Sequence, residues 1–165
     1  SFTAPVGLTR IVGDSGIGKT TLLRILLGLE RADSGTAAPK DLRWAAVFQE
    51  DRLLEHLDAA GNLRFALGAA YDGQEAARLL EELGIGDVGE KKVRDYSGGM
   101  KRRLALARAL LAPCDALALD EPFTGLDAGN RDIALSCILR AAEKRIVLLA
   151  AHEALDLPDA HTVQM

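Results

Sequence analysis

The sequence predicts an α/β fold: a parallel sheet with helices on both faces and a small helical insertion. Three observations carry this. Short apolar runs at 8–12, 42–48, 116–119 and 145–151 read as buried strands. Stretches with helical spacing separate them, and strands alternating with helices imply parallel pairing with both faces covered. Finally, Gly13, Gln49, Asp120, Glu121 and His152 all fall at the carboxyl ends of these runs. Sheets of this kind bind their ligands there.

The bulk properties bound the answer. A chain of 165 residues suits one domain, 1–165, with one sizeable core. Its 48% hydrophobic and 27% charged residues are the proportions of an ordinary soluble globular protein. A net charge of −4 gives no global attraction to nucleic acid or to an anionic membrane. Cys114 and Cys137 lie far apart in apolar stretches, with no metal or redox spacing, which suits a reducing compartment. No apolar run approaches the ~20 residues of a membrane span. No basic region followed by an apolar segment opens the chain. The expectation is a cytoplasmic protein without direct membrane insertion, able to dock on a membrane partner.

Taken in order, Ser1 to Pro5 reads as the end of a strand entering a turn, with Phe2 in the core. Leu8 to Val12 is the next strand. It leads into Gly13-Asp14-Ser15-Gly16-Ile17-Gly18-Lys19-Thr20, which fits G-x-x-x-x-G-K-[ST], the phosphate-binding loop pattern. Glycines let backbone N–H groups point at phosphate oxygens that side chains would otherwise block. A helix opening at Gly18 adds unpaired N–H groups and the positive end of its dipole. Lys19 can reach the β- and γ-phosphates, and the Thr20 hydroxyl can ligate Mg²⁺. Gly13, Asp14, Ser15, Gly16, Gly18, Lys19, Thr20 and Thr21 are the candidate nucleotide ligands on this side. The helix itself is placed at Thr21 to Leu29.

Arg31 to Lys40 is polar and rich in Ala, Gly and Pro, a loop. Leu42 to Phe48 is the second buried strand, with Trp44 packing, and it ends at Gln49. From Glu50 to Gly89 the character changes. Helical stretches at 57–67 and 74–83 are broken at Gly68, Gly73, Gly84 and Gly86. The core is therefore assigned to 1–49 and 112–165, and a helical subdomain to about 50–111. His56 reads as a surface residue, since no Cys or second His lies near it.

Asp95 to Met100 opens a helix that runs to about Leu111, with Ser97 as its N-cap. Lys101, Arg102 and Arg103 follow at once. Cations near a helix N-terminus oppose the dipole, and a bound anion there would relieve the conflict. A solvated basic turn explains the three side chains equally well. Ala116 to Leu119 is the third apolar strand and delivers Asp120-Glu121-Pro122. Burying two adjacent acids is costly unless a metal or water network uses them. Gly125-Leu126-Asp127 is a turn, and Ala128 to Ala142 the next helix. Arg145 to Ala151 is the fourth apolar strand, with His152 at its end. A short helix over 153–157 and a last strand over 162–165 complete the chain, and His161 reads as structural.

Together these motifs resemble the nucleotide-binding domain of ABC transporters, over nearly the whole chain. Gly13 to Thr20 matches Walker A. Gln49, after Val47-Phe48, matches the Q-loop glutamine, and Ser97-Gly98-Gly99 matches the core of the signature motif. Leu117-Ala118-Leu119-Asp120 followed by Glu121 matches Walker B and its catalytic glutamate. Gly125-Leu126-Asp127 matches the D-loop, and His152 the switch histidine. Walker A alone leaves kinases and GTPases open; the full set in this order is specific.

The resemblance implies a P-loop NTPase (RecA-like) core that binds ATP and Mg²⁺ and hydrolyses ATP. It implies that Asp120 and Thr20 hold Mg²⁺ and that Gln49 senses it. It implies that Glu121 orients or deprotonates the attacking water and that His152 contacts the γ-phosphate. Lys19 would bind the same phosphate. Ser97, Gly98 and Gly99 would bind the γ-phosphate of ATP held by a second copy, and Asp127 would reach across the same interface. Two such domains would thus close head to tail on ATP and open on hydrolysis.

Tyr96 and Met100 stand where most members have Leu and Gln in the signature. The aromatic residue that stacks on adenine in the family would precede Ser1, and the chain stops soon after His152, so a minimal or trimmed domain is expected. The stretch Val47 to Leu54 looks like importer ATPases of the nitrate, sulfonate and taurine type. The expected partners are a second ABC ATPase domain and transmembrane permease subunits, with a coupling helix of the permease received at 50–57. Nucleic acid is not expected as a partner. The alternatives are a soluble ABC ATPase acting on DNA or ribosomes, which usually carries inserted arms or a basic face, and a non-catalytic regulatory partner.

Overall fold

The computed structural model describes residues 2–36, 41–151 and 160–165. Five strands form one sheet: β1 (Gly7–Val12), β2 (Trp44–Val47), β3 (Ala116–Asp120), β4 (Ile146–Ala150) and β5 (His161–Gln164). Their order is β2-β3-β4-β1-β5, and every neighbouring pair is parallel. The helices are α1 (Lys19–Leu26), α2 (Ala59–Leu67), α3 (Gly73–Glu82), α4 (Gly98–Leu111) and α5 (Ala128–Ala142). This is the α/β architecture expected, with α5 spanning the residues anticipated for it.

Side-chain alternation along the strands divides the interior into two layers. Leu117 and Leu119 point to the face that packs with α2 to α5, together with Val47, Val147 and Leu149. Ala118 points to the other face, with Ile11, Leu148, Ala150 and Leu23 of α1. Trp44 is half-buried against this second layer, as expected of a packing residue. The same parity puts Asp120, two residues beyond Ala118, on the α1 side of the sheet.

Two expectations are corrected at the ends of elements. Residues 2–5 form no strand, and Phe2 is 36% exposed rather than core. Pro5 brings no N–H, and the ladder starts only where Gly7 N–H donates to Arg145 O at 3.1 Å. The first helix stops at Leu26, not Leu29, because Gly28 takes φ +71° and Leu29 N–H turns back to Arg24 O; Leu29 is left 58% exposed. Gly73, expected as a break, is instead the first residue of α3. Asp72 caps that helix by accepting from Gln74 N and Glu75 N. The short helix anticipated at 153–157 lies outside the described residues. Among the described residues, no helix is long and apolar enough to cross a membrane.

Candidate functional site

Gly13 follows the last residue of β1, and the loop to Gly18 runs over the carboxyl end of the sheet. Asp14, Ser15, Gly16 and Ile17 are exposed. Gly18 caps α1 with φ +110° and ψ 16°, a conformation that side chains resist, and no side chain satisfies the helix's first N–H groups. Those donors point into the loop. Lys19 is buried, with its ammonium donating to Gly13 O at 2.8 Å and Asp14 O at 3.1 Å. The lysine thus curls around the loop with its charge at the loop's centre. Thr21 is exposed on α1.

The Thr20 hydroxyl donates to Asp120 Oδ2 at 2.6 Å. Asp120 is 1% exposed, so the buried acid is partnered by the helix that follows the loop. Thr20 and Asp120 share a cleft of about 140 Å³ with Arg24, Phe48, Gln49 and Glu50. Gln49 therefore sits beside the hydroxyl–carboxylate pair, two residues past β2. Glu121 follows Asp120 with φ 51°, in the left-handed region, and its N–H donates to Ala150 O at 2.8 Å. A non-glycine residue held there is a local strain that functional sites retain. His152 lies outside the described residues.

Ser97, Gly98 and Gly99 lie at the start of α4. Ser97 is the N-cap, accepting from Met100 N at 3.2 Å. Gly99 packs so closely on the Gly125-Leu126-Asp127 turn that a Cβ there would lie 3.0 Å from Gly125 O, whereas a Cβ on Gly98 would meet nothing within 4 Å. Asp127 caps α5, with Oδ1 accepting from Asn130 N at 2.9 Å and Oδ2 from the Asn130 amide at 2.6 Å. These bonds hold its carboxyl below the usual carboxylate range.

A solvated basic turn does not describe 101–103, because all three cations are engaged within the chain. Lys101 pairs with Glu55 at 2.8 Å. Arg102, 3% exposed, donates to Phe48 O at 2.6 Å and Gln49 O at 3.1 Å and pairs with Asp51 at 3.0 Å. Arg103 donates to Leu83 O, Gly84 O and Asn130 Oδ1. Further along α4, Arg108 donates to Asp51 O and Arg52 O, both at 2.8 Å. Burial pushes the Asp51 carboxyl above its ordinary value, while Arg102 and Arg108 pull it the other way. Asn62, also buried, exchanges hydrogen bonds with Leu54 N and Leu54 O. Sequence reasoning assigned no role to Arg108, Asn62 or Asn130. A sequence signal existed for Arg108: it interrupts the otherwise apolar run 104–111.

The ABC transporter family model matches residues 3–124. The chain is 38% identical over 157 residues to the aliphatic sulfonates import ATP-binding protein SsuB 1 of Pseudomonas savastanoi pv. phaseolicola, covering 92% of this chain and 66% of that protein. It is 40% identical over 150 residues to the molybdenum import ATP-binding protein ModC of Rhizobium meliloti, covering 79% and 42%. The chain thus spans just under two thirds of the sulfonate-import relative's length. Among solved structures, an ABC transporter ATP-binding protein from Pyrococcus furiosus superposes with a TM-score of 0.86 at 23% identity, over 98% of this chain and 85% of that one, and shares the fold. An RNase-L inhibitor superposes with a TM-score of 0.76 at 30% identity, over 89% and 29%. With the family pattern covering most of the sequence and Thr20, Asp120 and Gln49 lining one cleft, the chain belongs to the ABC transporter family.

Proposed function

We propose that this chain binds and hydrolyses ATP to power an ABC importer, closing on ATP with a second copy and opening on hydrolysis. The observation that carries the reading is the 2.6 Å bond between Thr20 and Asp120 under the N-terminus of α1. It brings the hydroxyl after the phosphate loop to a buried carboxylate, a pair of hard oxygen donors suited to Mg²⁺. Oxygens of a bound nucleotide's phosphates would complete the cation's shell beside this pair. When bound, Mg²⁺ neutralises charge on the β- and γ-phosphates.

The chain's own residues do the rest. Loop N–H groups from 13–18 and the Lys19 ammonium hold the phosphates. Thr20, Asp120 and Gln49 keep the cation's oxygens in place. Glu121 orients the attacking water and takes its proton, and His152 contacts the γ-phosphate. Ser97, Gly98 and Gly99 serve the nucleotide of the opposite copy. Asp127 keeps that interface in register. Residues 1–49 and 112–165 act as the core and about 50–111 as the helical part, with 50–57 receiving the permease. The protein works on the cytoplasmic face of a membrane. Similarity to sulfonate-import relatives supports transport over action on ribosomes. The test is ATP turnover with Mg²⁺ for the parent and Glu121→Gln, with the mass in solution. The reading expects turnover that the substitution abolishes, retained ATP binding and an ATP-dependent dimer. Turnover that survives Glu121→Gln overturns it.

A further inference from the structure

We infer that Asn130 is a positioning residue for the two-copy site: its side-chain amide sets the orientation in which the Asp127 carboxylate is offered to the second copy. The inference rests on the reading above that two copies close on ATP, and it adds the residue of each copy that prepares Asp127 for that contact.

Asp127 is the N-cap of α5, and Asn130 is the third residue of that helix. The cap itself needs only backbone from position 130. Asn130 N–H donates to Asp127 Oδ1 at 2.9 Å, a bond that any residue except proline can make there. A second bond is particular to the side chain: Asn130 Nδ2 donates to Asp127 Oδ2 at 2.6 Å. With both oxygens held, the plane of the carboxylate is fixed, while Asp127 stays exposed. An ionised carboxylate offers about four acceptor positions, so a donor from outside the chain still finds a free one on each oxygen.

The other end of the amide is anchored to α4. Asn130 Oδ1 accepts from Arg103 Nη1 at 2.8 Å, and the same guanidinium donates to Leu83 O at 2.7 Å and Gly99 O at 3.3 Å. A guanidinium holds its donors in a rigid plane, so it fixes direction as well as distance. The amide can face only one way between these partners. Reversed, its NH₂ would meet the guanidinium and its carbonyl the carboxylate. Gly99 lies against the same turn, where a Cβ would come 3.0 Å from Gly125 O and 3.6 Å from Leu126 Cδ2. The exposed Ser97 and Gly98 and the exposed Asp127 thus stand on adjoining stretches of backbone. Packing of Gly99 holds the turn, and Asn130 holds the charge that the turn carries.

The experiment is sedimentation velocity on the full chain carrying Glu121→Gln, with and without Mg-ATP, beside urea unfolding and an ATP-binding titration at protein concentrations too low for the dimer. Asn130→Ala, Asn130→Ser and Asp127→Ala are added singly, and each Asn130 substitution is also combined with Asp127→Ala. Asn130→Ala keeps the backbone cap, so its urea midpoint stays close to the parent's. Its ATP affinity stays within about threefold, while the dissociation constant of the ATP-dependent dimer rises about 10-fold. Asn130→Ser, whose hydroxyl can still donate to the carboxylate, recovers part of that loss. In the Asp127→Ala background Asn130→Ala has little further effect, because the group it positions is gone. A dimer as tight in Asn130→Ala as in the parent overturns the inference. So does an equal loss from Asn130→Ala with and without the Asp127 carboxylate. Should Asn130→Ala not fold, Asn130→Ser decides through the same cycle. A parent that binds ATP and stays monomeric removes the two-copy reading and this inference together, whereas a parent that dimerises with both Asn130 variants unaffected removes this inference alone.

Discussion

The Thr20 hydroxyl and the Asp120 carboxylate, a hundred positions apart in sequence, meet at 2.6 Å on the α1 side of the sheet. They meet because α1 starts one residue before Thr20 and because the alternation of β3 turns Asp120 to that side. Asp120→Asn keeps the volume and the hydrogen bond but removes the charge. The expected outcome is a folded protein that binds nucleotide without Mg²⁺ as before, with the Mg²⁺ concentration for half-maximal turnover raised about 10-fold or more. Titrating Mg²⁺ in a turnover assay checks it; an unchanged midpoint would take Asp120 out of the cation site.

Gly98 and Gly99 are adjacent and separate two effects. A methyl on Gly99 would press on Gly125 O at 3.0 Å, so Gly99→Ala must displace the turn leading to Asp127 and is expected to lower stability by about 1–3 kcal/mol. A methyl on Gly98 meets open space in the single chain, and Gly98→Ala should leave its stability within about 0.5 kcal/mol. If Gly98 faces the nucleotide of a second copy, Gly98→Ala abolishes the ATP-dependent dimer while the chain stays as stable as its parent. Urea unfolding and sedimentation with ATP measure the two effects. A normal dimer from Gly98→Ala would remove Gly98 from the interface.

Much of this was legible in the sequence, for identifiable reasons. The strands are apolar on both faces because the sheet is covered on both, and the candidate site lies at their carboxyl ends. Asp127 could be read as a turn residue, yet its role as the cap of α5 depends on Asn130 three residues on, a local rule that sequence also holds. The basic turn at 101–103 was not legible. Its partners are backbone carbonyls at 48, 49, 83, 84 and 99 and side chains at 51, 55 and 130. A carbonyl has no residue identity, so no pattern of residue types announces it as a partner. The early stop of α1 was missed because Leu29 continues the apolar spacing while Gly28 breaks the backbone that would carry it.

Arg43, just before the edge strand β2, and Asp115, just before its neighbour β3, tie the two strands together at their starts. Arg43 N and Nε reach Asp115 Oδ2 at 2.9 and 3.1 Å, and Nη2 reaches Oδ1 at 2.9 Å. These bonds lower the Asp115 carboxyl from 3.8 to about 2. A carboxyl depressed in the folded state contributes stability above its unfolded pKa and loses it as pH falls through the folded one. The contribution is therefore present at pH 7, declines below about pH 4 and is gone below about pH 2. Asp115→Asn should lower the urea midpoint modestly at pH 7, since the pair is largely exposed. The gap from the parent should close as pH falls below 4. A gap that widens on acidification contradicts this assignment.

Leu106 and Leu29 give the cleanest contrast of buried against exposed leucine. Leu106 lies on α4 with no exposed surface, in the layer that joins α4 to β2 and the helices around it. Leu106→Ala removes apolar contact and leaves a cavity that rigid neighbours cannot fill, and is expected to cost about 2–5 kcal/mol. Leu29 falls beyond the end of α1 at 58% exposure, and Leu29→Ala is expected to change stability by less than about 0.5 kcal/mol. Had α1 continued to Leu29 with that side chain buried, the two substitutions would cost similar amounts. Denaturant unfolding of both variants decides between these geometries, and a loss at Leu29→Ala comparable to that at Leu106→Ala would return Leu29 to the core.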